Sequence, residues 1–267
     1  FSVQKHHVDN LPKLMKLEDW KNLPEYIFAV PDTIEGWADS LGELIYSRMG
    51  LRAGRPVFDL SRIRPQGSPL SIGGKAPGPD PLKVCLSKCE DLLSNTEALR
   101  PIDCFDIIMF ASDAVLSGGV RRAASIALFS ADDEEMMSSK TGNWWQENPQ
   151  RARANISAVI TPSTSKETYS NLFSRCKEFG EPGFIFSKSK EFVYNPCVEI
   201  GMAPVLIRDE RGNILEKYSI SHLENKALYE ELGYSYKSGW QACNLTEVNC
   251  SKFEDSKSAL EAVRAAT

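Results

Sequence analysis

Strand-like and helix-like runs alternate along this chain, and that alternation limits its fold more than any other feature. "RPVFDLSRI" (residues 55–63), "SIALFS" (125–130), "NISAVI" (155–160) and "GFIFS" (183–187) are short apolar runs with strand character. Helical patterns lie around them. "PDTIEGWADSLGELIYSRMG" (31–50) puts Ile34, Trp37, Leu41, Leu44 and Ile45 on one helical face, with Gly50 as the stop. Two helices are expected around 81–98 and 101–117; in the second, Ile102, Phe105, Ile108, Met109, Ser112 and Leu116 recur at helical spacing. "ADDEEMMSSK" (131–140) reads as a short acidic helix, and "TSKETYSNLFSRCKEFG" (164–180) as a capped amphipathic helix ending at Gly180. The fold class is therefore α/β with at least partly parallel strands. Residues 201–240 break the rhythm, with a polar hairpin around Gly212 and a short helix at 221–233, and read as an insertion. "FSVQ" at the start reads as a strand under way, and "SKSALEAVRAAT" at the end as a helix without a stop signal. The chain is read as an internal piece of something longer.

The 267 residues suffice for a sizeable core. The net charge of −5 and a pI near 5.4 give no basic footprint for a nucleic-acid backbone. Seven cysteines at irregular spacing favour free thiols in a reducing cytosol over a disulfide scaffold. No apolar run has the length of a membrane span; the best, "DIIMFASDAVL", is short and carries Asp106 and Asp113.

Chemistry is concentrated in "YNPCVEIG" (194–201). In extended backbone, alternate side chains share a face, so Asn195, Cys197 and Glu199 can address one cavity. An amide can hold a hydroxyl, a thiol can do covalent or radical chemistry, and a carboxylate can take a proton. On these three residues alone, a structural cysteine buried in a turn is the better reading. "GWQACNLTEVN" (239–249) carries a second cysteine-centred segment at Cys243. The glycine and arginine pairs of "SGGVRRAASIALFS" precede a strand, whereas a dinucleotide fingerprint needs its glycines after one. "GGKA" lacks the Ser or Thr of a phosphate loop. Cys85 and Cys89, four apart on one helical face, fit a metal or redox pair, but core packing is the better reading; Cys104 and Cys176 also fall on apolar helix positions. His6, His7 and His222 match no recognised ligand spacing.

Taken in order, "FSVQKHHVDNLP", "VPDTIEGWADSL", "DLSRIRPQGSPL", "GGKAPGPDPL", "LRPIDCFDIIMFASDAVLSGGVRRAASIALFS", "NPQRARANISAV", "GEPGFIF", "NPCVEI" and "CNLTEVN" resemble the catalytic subunit of ribonucleotide reductases. The likeness is greatest to the monomeric, adenosylcobalamin-dependent (class II) ribonucleoside-triphosphate reductases. It implies part of a ten-stranded α/β barrel, with residues 1–267 as its central segment and Cys197 on an inward-pointing loop. It implies reduction of ribonucleoside triphosphates to 2′-deoxyribonucleotides, with Cys197 as thiyl radical, Glu199 as general base, Asn195 holding the ribose hydroxyls, and Cys243 as one half of a reducing thiol pair. The pair's other half lies upstream of this sequence in the family and is assigned to no cysteine here. Gln150, Arg151, Arg153 and Asn155 match the loop that relays a bound deoxynucleotide effector, and a thioredoxin-type reductant is implied. Adenosylcobalamin would be held mostly by regions outside this chain, and the remainder of the reductase polypeptide is a further implied partner. Two alternatives remain open: an effector-binding or structural fragment inactive alone, and a segment of an iron-dependent diphosphate reductase.

Overall fold

A computed structural model describes residues 1–70, 74–116, 124–188, 190–198, 200–202, 206–208, 211, 214–215, 235–237, 253 and 255–266. The chain divides into two compact units, Phe1–Cys197 and Val198–Thr267.

The first unit opens beside a strand that comes much later. Ser2 bridges Leu128 in parallel, and Val3 N–H donates to the Leu128 carbonyl at 2.8 Å. The expected strand at "FSVQ" is thus a single bridge that gives way to helix α1 (Lys5–Val8). Helix α2 (Leu17–Lys21), strand β1 (Glu25–Ala29), helix α3 (Ile34–Arg48) and strand β2 (Arg55–Asp59) follow. β1 and β2 pair in parallel, Glu25 opposite Arg55, with α3 as the crossover. Helices α4 (Asp80–Ser94) and α5 (Pro101–Ala114) precede β3 (Ser125–Ser130), α6 (Glu134–Met137), α7 (Trp144–Glu147), a 3₁₀ turn (Pro149–Arg153) and β4 (Ala154–Ile160). Helix α8 (Lys166–Phe179) leads to β5 (Gly183–Phe186), and a short strand β6 (Val193–Tyr194) completes the unit. β3, β4 and β5 form a parallel sheet in that order. The expected α/β class with parallel strands is what folds.

Local chemistry sets several boundaries. Thr33 caps α3 by accepting from Gly36 N–H at 3.0 Å, and Ser165 caps α8 by accepting from Thr168 N–H at 3.0 Å. Gly50 (φ 71°) and Gly180 (φ 75°) end the two helices in left-handed backbone that costs glycine little. Helix α4 stops at Ser94, short of the expected 98, and the Arg48 guanidinium donates to the Leu93 carbonyl at 2.7 Å in that last turn. Helix α5 stops at Ala114, short of 117.

Helix α5 serves two cores. Ile102, Phe105 and Met109 join Phe129, Ile156 and Leu172 beneath the β3–β5 sheet. Ile107 and Ala114 join Trp20 of α2, Leu44 of α3 and Leu82, Leu86 and Leu93 of α4. Each such fully buried apolar side chain contributes about 1.5–3 kcal/mol.

Helix α3 keeps most of its expected apolar stripe: Leu44 is buried, and Trp37, Leu41 and Ile45 are partly buried against the same core. Ile34 is 85% exposed, while the face turned inward carries Gly36, Ser40, Leu44, Ser47 and Arg48. Small residues there allow close approach, and the polar groups are bonded except for Arg48 Nε, which is buried without a hydrogen-bond partner. Ser47 Oγ accepts from Trp20 Nε1 at 2.8 Å and donates to the Gly54 carbonyl at 2.6 Å. Arg48 also donates to the Met15 carbonyl at 2.9 Å and lies over the Trp20 ring at 5.1 Å.

In the second unit, β7 (Gly201–Met202) is followed by β8 (Leu206–Arg208), β9 (Ile214–Leu215) and β10 (Ser235–Lys237), and the last three form an antiparallel sheet in the order β10-β8-β9. The β8–β9 pair is the expected polar hairpin; Gly212 and the helix expected at 221–233 lie outside the described residues. Helix α9 (Ser256–Ala266) forms where the terminal pattern placed it. Among the described residues, no helix is long and apolar enough to cross a membrane.

The Gly36 contact yields a direct test. A Cβ there would stand 2.5 Å from the Pro31 carbonyl oxygen and 2.8 Å from Pro31 Cδ. Alanine would return about 1 kcal/mol of helix propensity. Overpacking costs roughly 1–3 kcal/mol, and a backbone carbonyl cannot swing aside, so the upper end applies. Gly36→Ala is expected to lower stability by about 1–2 kcal/mol in urea unfolding; an unchanged or raised midpoint would show that α3 does not sit this close to Pro31.

Candidate active site around Cys197

The turn bearing Cys197 lies over one face of the β3–β5 sheet. Alternation along the strands puts Ile126, Leu128, Val159 and Ile185 on that face, and Tyr194 packs against them. Asn155 and Val159 are an even number of residues apart on β4, so Asn155 shares the face, and its Nδ2 donates to the Pro196 carbonyl at 2.8 Å. Tyr194 and Asn155 together fix the backbone on both sides of Asn195. Asn195 itself is half-buried and engaged. Cys197 is a free, exposed thiol. Val198, immediately after it, has φ 72°, a left-handed conformation rare for a β-branched residue that costs roughly 1–3 kcal/mol. Glu199 and Cys243 lie outside the described residues.

The four residues of the expected effector loop reach two different places. Arg151 forms a two-pronged fork with Asp106 on α5, Nε to Oδ1 at 2.8 Å and Nη2 to Oδ2 at 2.6 Å, and also donates to the Ser139 carbonyl at 2.8 Å. The buried Gln150 adds a bond from Nε2 to Asp106 Oδ1 at 3.2 Å. Arg153 Nε donates to Asp113 Oδ1 at 2.8 Å, two turns further along α5. Asn155 reaches instead to the Cys197 turn. A continuous set of contacts thus runs from α5 through the 3₁₀ turn and β4 to Pro196. The buried Lys140 supports its middle by donating to the Ala154 carbonyl and pairing with Glu181 at 2.7 Å. From sequence, Asp106 and Asp113 stand out only as charges within an apolar run, and Lys140 does not stand out at all. A pair of carboxylates seven apart within an apolar helix was the available signal for the first two.

The other motifs separate from this site. Cys85 and Cys89 pack in the core with Leu82 and Leu86. The hydrogen bond between the two thiols draws Cys85 down against the effect of burial, and together with burial it pushes Cys89 up. Residues 71–73 and 117–123, which include the glycine and arginine pairs, lie outside the described residues. A cleft of about 610 Å³ is lined by Ile160, Thr161, Tyr169, Phe186 and Lys188 at the carboxyl ends of β4 and β5. It is not at Cys197: Asn155 stands near the start of β4, about 16 Å of strand from Ile160 at ~3.3 Å per residue.

Two tests follow from these contacts. Asp106 and Arg151 are 11% and 13% exposed, whereas Asp113 and Arg153 are 43% and 34% exposed. Asp106→Asn leaves a guanidinium half-paired in a dry site and is expected to cost about 3 kcal/mol, against under about 1 kcal/mol for Asp113→Asn. Equal losses in denaturant unfolding would contradict the ranking. Burial pushes the Cys104 thiol from its ordinary value of 9 up to about 11. The unfolded chain then releases that proton first, so this group lowers stability as pH rises from about 9 to 11. In the native chain at pH 8, iodoacetamide should modify Cys197 well before Cys104; comparable rates by peptide mass analysis would refute the difference in environment.

No protein-family model matches the chain. Curated relatives do. The adenosylcobalamin-dependent ribonucleoside-triphosphate reductase of Lactobacillus delbrueckii subsp. bulgaricus is 32% identical over 200 residues, 66% of this chain and 27% of that protein. The protein of the same name from Lacticaseibacillus paracasei is 30% identical over 220 residues, 73% of this chain and 28% of its own length. That from Euglena gracilis is 32% identical over 168 residues, 60% of this chain and 22% of its own length. The chain therefore spans about a quarter of the length of the curated relatives it matches. A crystal structure of a B12-dependent (class II) ribonucleotide reductase shares the fold with a TM-score of 0.61 at 24% identity, over 76% of this chain and 34% of that one. In sequence over about two thirds of its length and in fold over about three quarters, this chain is similar to a segment of the adenosylcobalamin-dependent (class II) ribonucleotide reductases.

Proposed function

We propose that this chain is the segment of an adenosylcobalamin-dependent ribonucleoside-triphosphate reductase that carries the radical cysteine, and that Cys197 is that residue. What carries the proposal is a free, exposed thiol on a pinned turn, in a chain similar over about two thirds of its length to these reductases. An accessible thiol fits a cofactor that must be approached from outside the chain. Adenosylcobalamin, when bound, supplies the radical that takes the hydrogen atom of the thiol. No residue of this chain is assigned to hold it.

The protein's own groups then act on ribose. The Cys197 thiyl takes the 3′-hydrogen atom, and Glu199 takes the 3′-hydroxyl proton. Asn195 holds the hydroxyls in register with the sulfur. The 2′-hydroxyl leaves as water with a proton from the reducing thiol pair. Its replacement by hydrogen needs two electrons, delivered by Cys243 and a second thiol outside this chain, which end as a disulfide. Cys197 returns its hydrogen to C3′ and regains the radical, and Glu199 gives its proton back to the 3′-oxygen at the end of the cycle. A thioredoxin-type reductant restores the thiol pair. The product class is deoxynucleotide for DNA synthesis, and the free thiols among the described cysteines suit a reducing cytoplasm.

Effector control is assigned to residues 150–155. The Asn155–Pro196 bond supports a role for this stretch in placing Cys197, because the strand that follows the loop holds the turn that bears the sulfur. The chain's share of its relatives' length favours one further point: alone, it is a part rather than a working enzyme.

The decisive experiment uses the full-length reductase. Cys197→Ser keeps size and polarity, but its O–H bond is too strong to yield the radical, so 3′-hydrogen exchange and product formation should both vanish while effector binding persists. Cys243→Ser should retain 3′-hydrogen exchange but release base from a damaged nucleotide instead of forming product. Normal product from Cys197→Ser would overturn the assignment.

A further inference from the structure

Two adjacent histidines and a distant glutamate converge on one point. His6 Nε2 stands 3.1 Å from Glu191 Oε1, and His7 Nε2 stands 3.1 Å from Glu191 Oε2. Neighbouring residues on a helix normally diverge by about 100°. Here the helix is a single turn, Lys5–Val8, and the two rings lie with centroids 4.0 Å apart, tilted by 42°. The nitrogen and oxygen donor atoms all fall within 4.8 Å of one another. A tetrahedral ion with bonds of about 2.0–2.1 Å keeps its donors about 3.3 Å apart, so the 3.1 Å contacts need a small expansion while the wider donor pairs, within 4.8 Å, draw in around the ion. We propose that His6, His7 and Glu191 form a divalent transition-metal site, with zinc as the ion their donor set suits best.

The surroundings fit such a site. Two imidazoles and one carboxylate leave the fourth position of a tetrahedral ion open. The His6 and His7 side chains are 38% and 20% exposed, and Glu191 is 16% exposed, so the ligands are held but solvent can reach the open position. Behind His7, Ser2 Oγ lies 2.7 Å from Nδ1 and fixes the ring plane. On metal binding each imidazole gives its Nε2 lone pair to the ion and carries its proton on Nδ1, where His7 can donate to Ser2. The neutral rings keep one proton each, so the exchange of tautomers balances. Gln4 Nε2 donates to the Lys190 carbonyl at 2.7 Å and pins the residue before the glutamate. The site uses none of the residues assigned to ribose chemistry. It would clamp α1 to the segment that leads, six positions on, to Cys197.

The test uses the 267-residue chain, stripped with chelator and titrated with Zn(II) by calorimetry and with Co(II) by visible absorption. One saturable ion per chain is expected, with the intense d–d bands of tetrahedral cobalt and no thiolate charge-transfer band. His7→Ala and Glu191→Gln should abolish this binding, His222→Ala should leave it intact, and Ser2→Ala should weaken it about tenfold as the loss of an outer-shell partner. Zn(II) should raise the melting temperature of the wild-type chain and leave that of His6→Ala unmoved. A wild-type chain with no saturable Zn(II) or Co(II) binding overturns the proposal. So does a thiolate charge-transfer band, or an undiminished stoichiometry in a folded His6→Ala, His7→Ala double variant.

Discussion

The fork between Asp106 and Arg151 is the interaction on which the organisation of this chain turns. Helix α5 is apolar on both sides because it packs into both cores, and a carboxylate within it must be compensated. Arg151 supplies that compensation from the 3₁₀ turn before β4, with Gln150 as a second donor. Because the fork is planar and two-pronged, it fixes orientation as well as distance. The start of β4 is thereby set against α5, and β4 is the central strand of the parallel sheet. What lies over that strand, including the turn at Pro196 and Cys197, takes its position from the same anchor.

The deoxynucleotide effector proposed for residues 150–155 would act on a stretch that is already committed. Gln150, Arg151 and Arg153 are each bonded to a carboxylate of α5. An anion arriving there competes with Asp106 or Asp113 for the same guanidinium groups. Of the two pairs, the one at Arg153 is the more solvated and the easier to exchange. Arg151, in its dry fork, is suited to hold the frame while Arg153 responds.

Much of the fold was legible in the sequence because its signals are local. Gly50 and Gly180 mark helix ends by backbone chemistry within a few residues, and the structure puts left-handed stops at both, with Thr33 and Ser165 capping the other ends. The parallel order followed from alternating strand and helix patterns. What local pattern could not reveal is the partner of a polar side chain. Ser47 and Arg48 look like solvent-facing positions until Trp20, Met15, Gly54 and Leu93 are brought to them by the fold. His6 and His7 match no ligand spacing because their third group is Glu191, at the far end of the unit. Asn155 was read as an effector contact, and the distant Pro196 carbonyl it holds is equally invisible to spacing.

Val198 bears on how a thiol can be both exposed and well placed. Most residues at a surface turn would settle into one of several shallow backbone minima and wander among them. A valine held at φ 72° has few alternatives that keep its neighbours bonded, since the wide basins open to it lie on the other side of the Ramachandran map. The chain therefore trades local ease for a narrow well beside Cys197. A glycine in place of Val198 would open wide basins on both sides of that map and loosen the backbone beside the sulfur.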